Sequence, residues 1–161
     1  MTLQGLKFEF SESASFAGLA AVLHQQCFSK PWDEASFTSA MSIPGTVLVL
    51  ACRKDEPVAF ILYRYIGTAA EILTLGVLPA FRQQNIAAAL LDRGRSYLAA
   101  RQVETLWLEV GSRNHAAHCL YISQGFEETG RRKNYYREFG KKEDAIVMKQ
   151  RITPAEPRKL Q

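Results

Sequence analysis

The stretch "TLWLEVGSRNHAAHCLYISQGF" (residues 105–126) sets a carboxylate and a phenol where chemistry could use them. It begins as an apolar run in which Leu106, Leu108 and Val110 share one face of a strand, and Trp107 and Glu109 the other. A carboxylate in such a strand costs free energy unless something needs it. Glu109 falls near the strand's C-terminal end, where open α/β sheets bind their ligands. There it can serve as a proton acceptor. The plainer use of Glu109 is an ion pair with a nearby cation such as Arg113. Asn114 reads as the N-cap of a short helix over 115–123, stopped at Gly125. Tyr121 lies two turns beyond Asn114 on the same face. Its hydroxyl can sit at the rim of the core.

A second candidate is "PAFRQQNIAAALL" (79–91), which joins a strand to a helix. The first amides of a helix have no intrahelical partner, and the helix dipole is positive there. Such a turn can hold a pyrophosphate without a lysine. Ala87, Ala88 and Ala89 let the backbone come close, Asn85 tolerates positive φ, and Arg82 adds a charge. The alanines are also good helix formers and need no ligand to explain them.

Other residues carry less. His115 and His118 flank a helix start and read as surface trim. Cys119 occupies a different helix face from Asn114 and Tyr121, which weighs against a covalent cysteine route. "RRKNYYR" (131–137) mixes cations with two tyrosines and reads either as an exposed strand edge or as a substrate-facing stretch.

The elements that must position these residues follow from hydrophobic spacing. Strands are expected over 6–10, 45–53, 58–67, 69–78, 103–110, 134–138 and 143–150, the last two joined by a turn at Gly140. Helices are expected over 13–29, after Asp33, over 85–101 and over 115–123. Ile86, Leu90 and Tyr97 share one face of the longest helix. The order β-α-α-β-β-β-α-β-α-β-β implies a mixed α/β sheet with helices on both faces, an early antiparallel hairpin and a mostly parallel C-terminal section. One domain over residues 1–152 is expected, with 153–161 as a frayed tail.

Bulk properties exclude some classes. The chain has 161 residues, 47% apolar and 22% charged, a soluble globular balance. The net charge of +4 favours an anionic partner such as a phosphorylated cofactor or RNA, without a nucleic-acid binder's signature. No stretch approaches a membrane span, and the N-terminus does not read as a signal peptide. Cys27, Cys52 and Cys119 have no metal spacing and suggest reduced thiols in the cytoplasm.

"LTLGVLPAFRQQNIAAALL" resembles the acetyl-CoA-binding motif of the Gcn5-related N-acetyltransferases, Gln/Arg-x-x-Gly-x-Gly/Ala. Arg82, Asn85 and Ala87 fall on its marked positions, with Asn85 where glycine is usual. "FSKPWDEASF", "ETLWLEVGSRNHAAHCLYISQGFEETGRRKNYY" and "EDAIVMK" together resemble the RimI-type ribosomal-protein-alanine N-acetyltransferases, through most of residues 28–149. The resemblance implies a central sheet whose parallel strands splay around acetyl-CoA, and no metal. It implies that the strand at Leu75, Gly76 and Val77 and the loop at Arg82, Gln83, Gln84, Asn85, Ile86, Ala87 and Ala88 hold the cofactor, with Asn114 on its pantetheine arm. Glu109 would be the general base and Tyr121 the general acid, in direct attack. Trp32, Tyr135 and Tyr136 would shape the acceptor site. The implied acceptor is a protein N-terminus, an alanine of a small-subunit ribosomal protein, with no membrane and no sequence-specific nucleic acid involved. The alternatives are an acetyltransferase of the same fold for another protein or a small amine, and a CoA-binding module without turnover.

Overall fold

The computed structural model describes residues 3–138 and 141–154. The chain runs β1 (Leu6–Ser11), a 3-10 turn (Ala14–Phe16), α1 (Ala17–Cys27), α2 (Glu34–Met41), β2 (Thr46–Arg53), β3 (Glu56–Ile66), β4 (Ala69–Val77), α3 (Ile86–Ala99), β5 (Thr105–Gly111), α4 (His115–Ser123), β6 (Glu127–Glu138) and β7 (Lys141–Arg151). A second 3-10 turn, Pro79–Phe81, leads into the loop before α3. The expected Gly140 turn and residues 155–161 of the expected tail lie outside the described residues.

The seven strands form one sheet in the order β1-β2-β3-β4-β5-β7-β6. Alternation along β2 and β3 sends Leu48, Leu50, Phe60 and Leu62 to one face, where Ala20, Leu23 and Phe37 of α1 and α2 cover them. Val47, Val49, Ile61 and Tyr63 go to the other face, under Leu90, Leu91 and Leu98 of α3. Covered on both sides, β2 needs no polar face, hence its unbroken "VLVLAC". Each fully buried leucine contributes about 1.5–3 kcal/mol. Tyr97 is not part of the buried stripe of α3. That stripe is Ile86, Leu90, Leu91, Gly94 and Leu98, while Tyr97 stacks on Phe10 at 5.0 Å.

The C-terminal half corrects the expected parallel section. Among the described residues only β4 and β5 are parallel; β7 lies antiparallel between β5 and β6. β6 is also longer than expected from its sequence. Residues 127–135 are exposed along their whole length, so no apolar alternation marks the strand.

The feature that matters for function is where β4 and β5 part. They share only the rungs from Ala69–Thr105 to Glu71–Trp107. On its other side β4 pairs Ile72 with Tyr63 and Thr74 with Leu62, leaving Leu73 as an extra residue. Such a bulge bends and twists its strand. It falls just beyond the last shared rung, and past it Ile72–Val77 and Leu108–Gly111 diverge.

Candidate active site

The gap between these strands has one wall of free backbone. Leu78 N–H donates to the Val58 carbonyl at 2.9 Å. Antiparallel bonding alternates, so the amides of Gly76 and Thr74 also face β3, and those of Leu75 and Val77 face the gap. The Val77 carbonyl points the same way, accepting from Arg82 Nε at 3.0 Å. Gly76 has a packing reason to lack a side chain: a Cβ there would meet the Phe60 ring at 2.7 Å and the Cys27 Cβ at 3.1 Å.

The gap ends at the start of α3. Gln83 (φ 59°) and Asn85 (φ 61°) both take the left-handed conformation, so Asn85 does what glycine would do there. Ala89 N–H donates to the Asn85 carbonyl at 3.1 Å. The amides of Ile86, Ala87 and Ala88 precede it without a carbonyl one turn back. Asn85 supplies no side-chain cap. Adjacent free amides around left-handed residues, at the positive end of a helix, make a concavity suited to phosphate oxygens.

Glu109 reaches the gap from the α1/α2 side, because Leu106, Leu108 and Val110 turn the other way into the core beneath α3. It lines a cleft of about 350 Å³ with Glu71, Trp107, Leu108, Arg132 and Val147. Its partner is not Arg113: Arg132 Nε on β6 stands 3.0 Å from Glu109 Oε1. Arg113 instead donates its backbone N–H to Glu143 Oε1 at 2.5 Å, which pins the β5–α4 loop to β7.

Tyr121 arrives from the opposite face, as part of the α3-side core and only 7% exposed. Its ring meets Phe126 edge-on at 5.6 Å. Burial, with the Tyr136 hydroxyl a smaller cause, pushes its pKa up to about 12, so the phenol stays protonated at any working pH. Tyr136 feels both groups electrostatically: burial raises its own pKa first, then the charge of Glu109. Asn114 caps α4 as expected, accepting from Ala117 N–H at 3.2 Å. Asp33 caps α2 in the same way through Ser36 N–H at 2.8 Å.

Not every expected residue meets here. Trp32 lines a separate groove of about 310 Å³ with Ser36, Ala40, Arg64 and Leu73. Tyr135 is 52% exposed, packs edge-on against Tyr136 at 5.1 Å, and has Arg132 over its ring at 5.3 Å. His118 pairs with Glu128 at 2.6 Å, and Cys119 is exposed. Among the described residues no group of three His, Cys, Asp or Glu could hold a metal ion. No helix among them is long and apolar enough to cross a membrane.

The sequence reading missed His24. It is 2% exposed, and burial lowers its pKa to about 4. Trp32 N–H donates to its Nδ1 at 3.0 Å, so the proton of the neutral ring sits on Nε2, which donates to Thr74 Oγ1 at 3.1 Å. His24 therefore ties the loop carrying Trp32 to the residue after the β4 bulge. Its signal was its spacing, four residues after Ala20 on the buried face of α1. Glu71 and Arg53 also went unassigned, and Arg132 was read only within the 131–137 stretch, because each meets its neighbours through sheet register or loop closure.

The opening thus has a carboxylate on its α1/α2 side and a buried phenol on its α3 side. Residues 20–126 match the model of the Acetyltransferase (GNAT) family. The chain is 34% identical over 126 residues to the [ribosomal protein bS18]-alanine N-acetyltransferase of Escherichia coli (strain K12), covering 78% of this chain and 84% of that protein. It is 40% identical over 127 residues to the protein of the same name from Haemophilus ducreyi, covering 78% and 87%. The crystal structure of the ribosomal-protein-S18-alanine N-acetyltransferase from Escherichia coli superposes with a TM-score of 0.83 at 30% identity, over 96% of this chain and 99% of that one. The splayed sheet, the open helix start and these likenesses together establish that the chain belongs to the GNAT acetyltransferase family.

Proposed function

We propose that this protein transfers the acetyl group of acetyl-CoA to the N-terminal amine of a protein, and that its acceptor is the N-terminal alanine of ribosomal protein bS18. The observation that carries the reading is the two-sided opening between β4 and β5, with Glu109 entering from one face and Tyr121 from the other. The names of the relatives support the acceptor. A ribosomal acceptor assigns the protein to the cytoplasm, and residues 1–152 act as one acetyltransferase domain.

Acetyl-CoA, when bound, supplies an activated thioester. The amides of Ile86, Ala87 and Ala88, with their neighbours Arg82 to Asn85, hold its phosphates. Leu75, Gly76 and Val77 line its arm, and Asn114 borders it from α4. An amide of Leu75 or Val77 stabilises negative charge developing on the carbonyl oxygen; one such donor contributes on the order of 10²–10³ in rate. Glu109 takes the amine's proton, once the incoming ammonium has displaced Arg132 or shared the carboxylate with it. Tyr121, held protonated by burial, gives a proton to the departing sulfur, with a contribution of about 10². Tyr136 and Tyr135 on β6, with Trp32 beside α2, bound the approach of an extended peptide.

The test is mass spectrometry of a synthetic peptide with an N-terminal alanine after incubation with the protein and acetyl-CoA. The expected product carries one acetyl group on the N-terminal amine, and ribosomal bS18 from cells lacking the gene is unacetylated. Acetylation confined to lysine side chains, or bS18 acetylated equally without the gene, would contradict the reading.

A further inference from the structure

The loop before α3 carries asparagine where the motif it resembles has glycine, and it holds two side-chain-bearing residues, Gln83 and Asn85, at positive φ. Residues other than glycine stay in that conformation only where surroundings hold them there; asparagine adopts it with less strain than glutamine. Asn85 makes no capping bond of its own that could hold it.

The restraint comes from β2. Arg53, its last residue, donates from Nη1 to Gln84 Oε1 at 2.8 Å, so it grips the one residue between the two left-handed ones. Its guanidinium lies 5.8 Å from the ring of Phe81, which is packed against the core. Its Nε is enclosed and has no acceptor among the described residues. At the loop's start, Arg82 is tied to Val77 at the end of β4. The turn is thus fastened at its entry by Arg82 and at its centre by Arg53, while the amides that follow stay free.

We propose that Arg53 is a positioning residue for the acyl donor: its bond to Gln84 clamps the 82–88 turn in the geometry that a glycine at position 85 would reach unaided, and so sets the affinity of the turn for a pyrophosphate-bearing ligand. The proposal rests on the assignment of this turn to acetyl-CoA. If the turn is correctly shaped only part of the time, the apparent affinity falls by that fraction.

The experiment is calorimetric titration of CoA and acetyl-CoA into the full chain, comparing wild type, Arg53→Met, Asn85→Gly and the double variant. Arg53→Met should raise Kd about 10-fold, the scale of one charge-assisted hydrogen bond. In the Asn85→Gly background the same substitution should raise it no more than about 2-fold, because glycine no longer needs the clamp. Gln84→Leu removes the same bond from its other end and should show the same coupling, which keeps the test available if Arg53→Met folds poorly. The KM for the acceptor peptide should not move. An equal loss in both backgrounds would overturn the proposal, because Arg53 would then act on the ligand or the fold and not on residue 85; so would no loss at all. Wild-type protein that fails to bind either ligand would instead refute the assignment of the turn.

Discussion

His24→Gln should remove a pH dependence of stability that the wild-type protein carries. The imidazole is enclosed by Phe28, Trp32, Phe37 and Phe60, with ring centroids at 4.1 to 5.7 Å, and burial lowers its pKa from 6.5 to about 4. Its two hydrogen bonds need the neutral ring, since Nδ1 must accept from Trp32. The folded pKa is depressed, so the unfolded chain takes up a proton that the folded chain refuses. The stabilisation is therefore complete above the unfolded value and is lost as pH falls from about 6.5 towards 4. A difference of about 2.5 units at 1.36 kcal/mol each comes to roughly 3 kcal/mol, a large part of a typical domain's stability. The assay is urea unfolding at several pH values between about 7.5 and 4.5, for wild type and His24→Gln. Glutamine lowers stability by a constant amount but does not titrate, and the carboxylates contribute equally to both proteins. The gap between the two curves should therefore narrow as pH falls. Parallel curves would refute the tautomer and the burial argument together.

Tyr121→Phe should keep the fold, because phenylalanine retains the edge-on contact with Phe126, yet lower kcat about 10²-fold with little change in acetyl-CoA binding; full kcat in a thiol-release assay would remove the general acid. Because the Tyr121 pKa is near 12, wild-type kcat should show no loss from this group as pH rises to about 10, and a fall centred well below that would contradict its protonated role. Gly76→Ala forces a methyl against Phe60 and Cys27 and should lower stability by about 1–3 kcal/mol while weakening acetyl-CoA binding; an unchanged thermal midpoint would show that the ring moves freely aside.

Much of the framework was legible from residues alone, because local chemistry decided it. The caps at Asp33 and Asn114 and the stop at Gly125 follow from side-chain hydrogen bonding and positive φ. The alternation that turns Glu109 away from Leu108 and Val110 is a property of any strand. The order of β7 and β6 was not legible: hydrophobic spacing is the same for parallel and antiparallel partners, and exposed β6 has almost no spacing to read. The bulge at Leu73 left no mark either, since an extra residue in a strand shows only against its partner. For the same reason Arg113, near in sequence, was the natural partner for Glu109, whereas Arg132 reaches it from two strands away. His24 escaped because a histidine among aromatic residues looks polar in sequence and behaves as core.

The most direct measurement is acetyl transfer by Glu109→Gln at neutral pH with saturating acetyl-CoA, alongside its calorimetric affinity for CoA. If the carboxylate takes the amine's proton in the opening between β4 and β5, transfer falls at least about 10²-fold while CoA affinity stays at the wild-type value. Full transfer by that variant would show that the proton leaves by another route, and that the two-sided opening is not organised around Glu109.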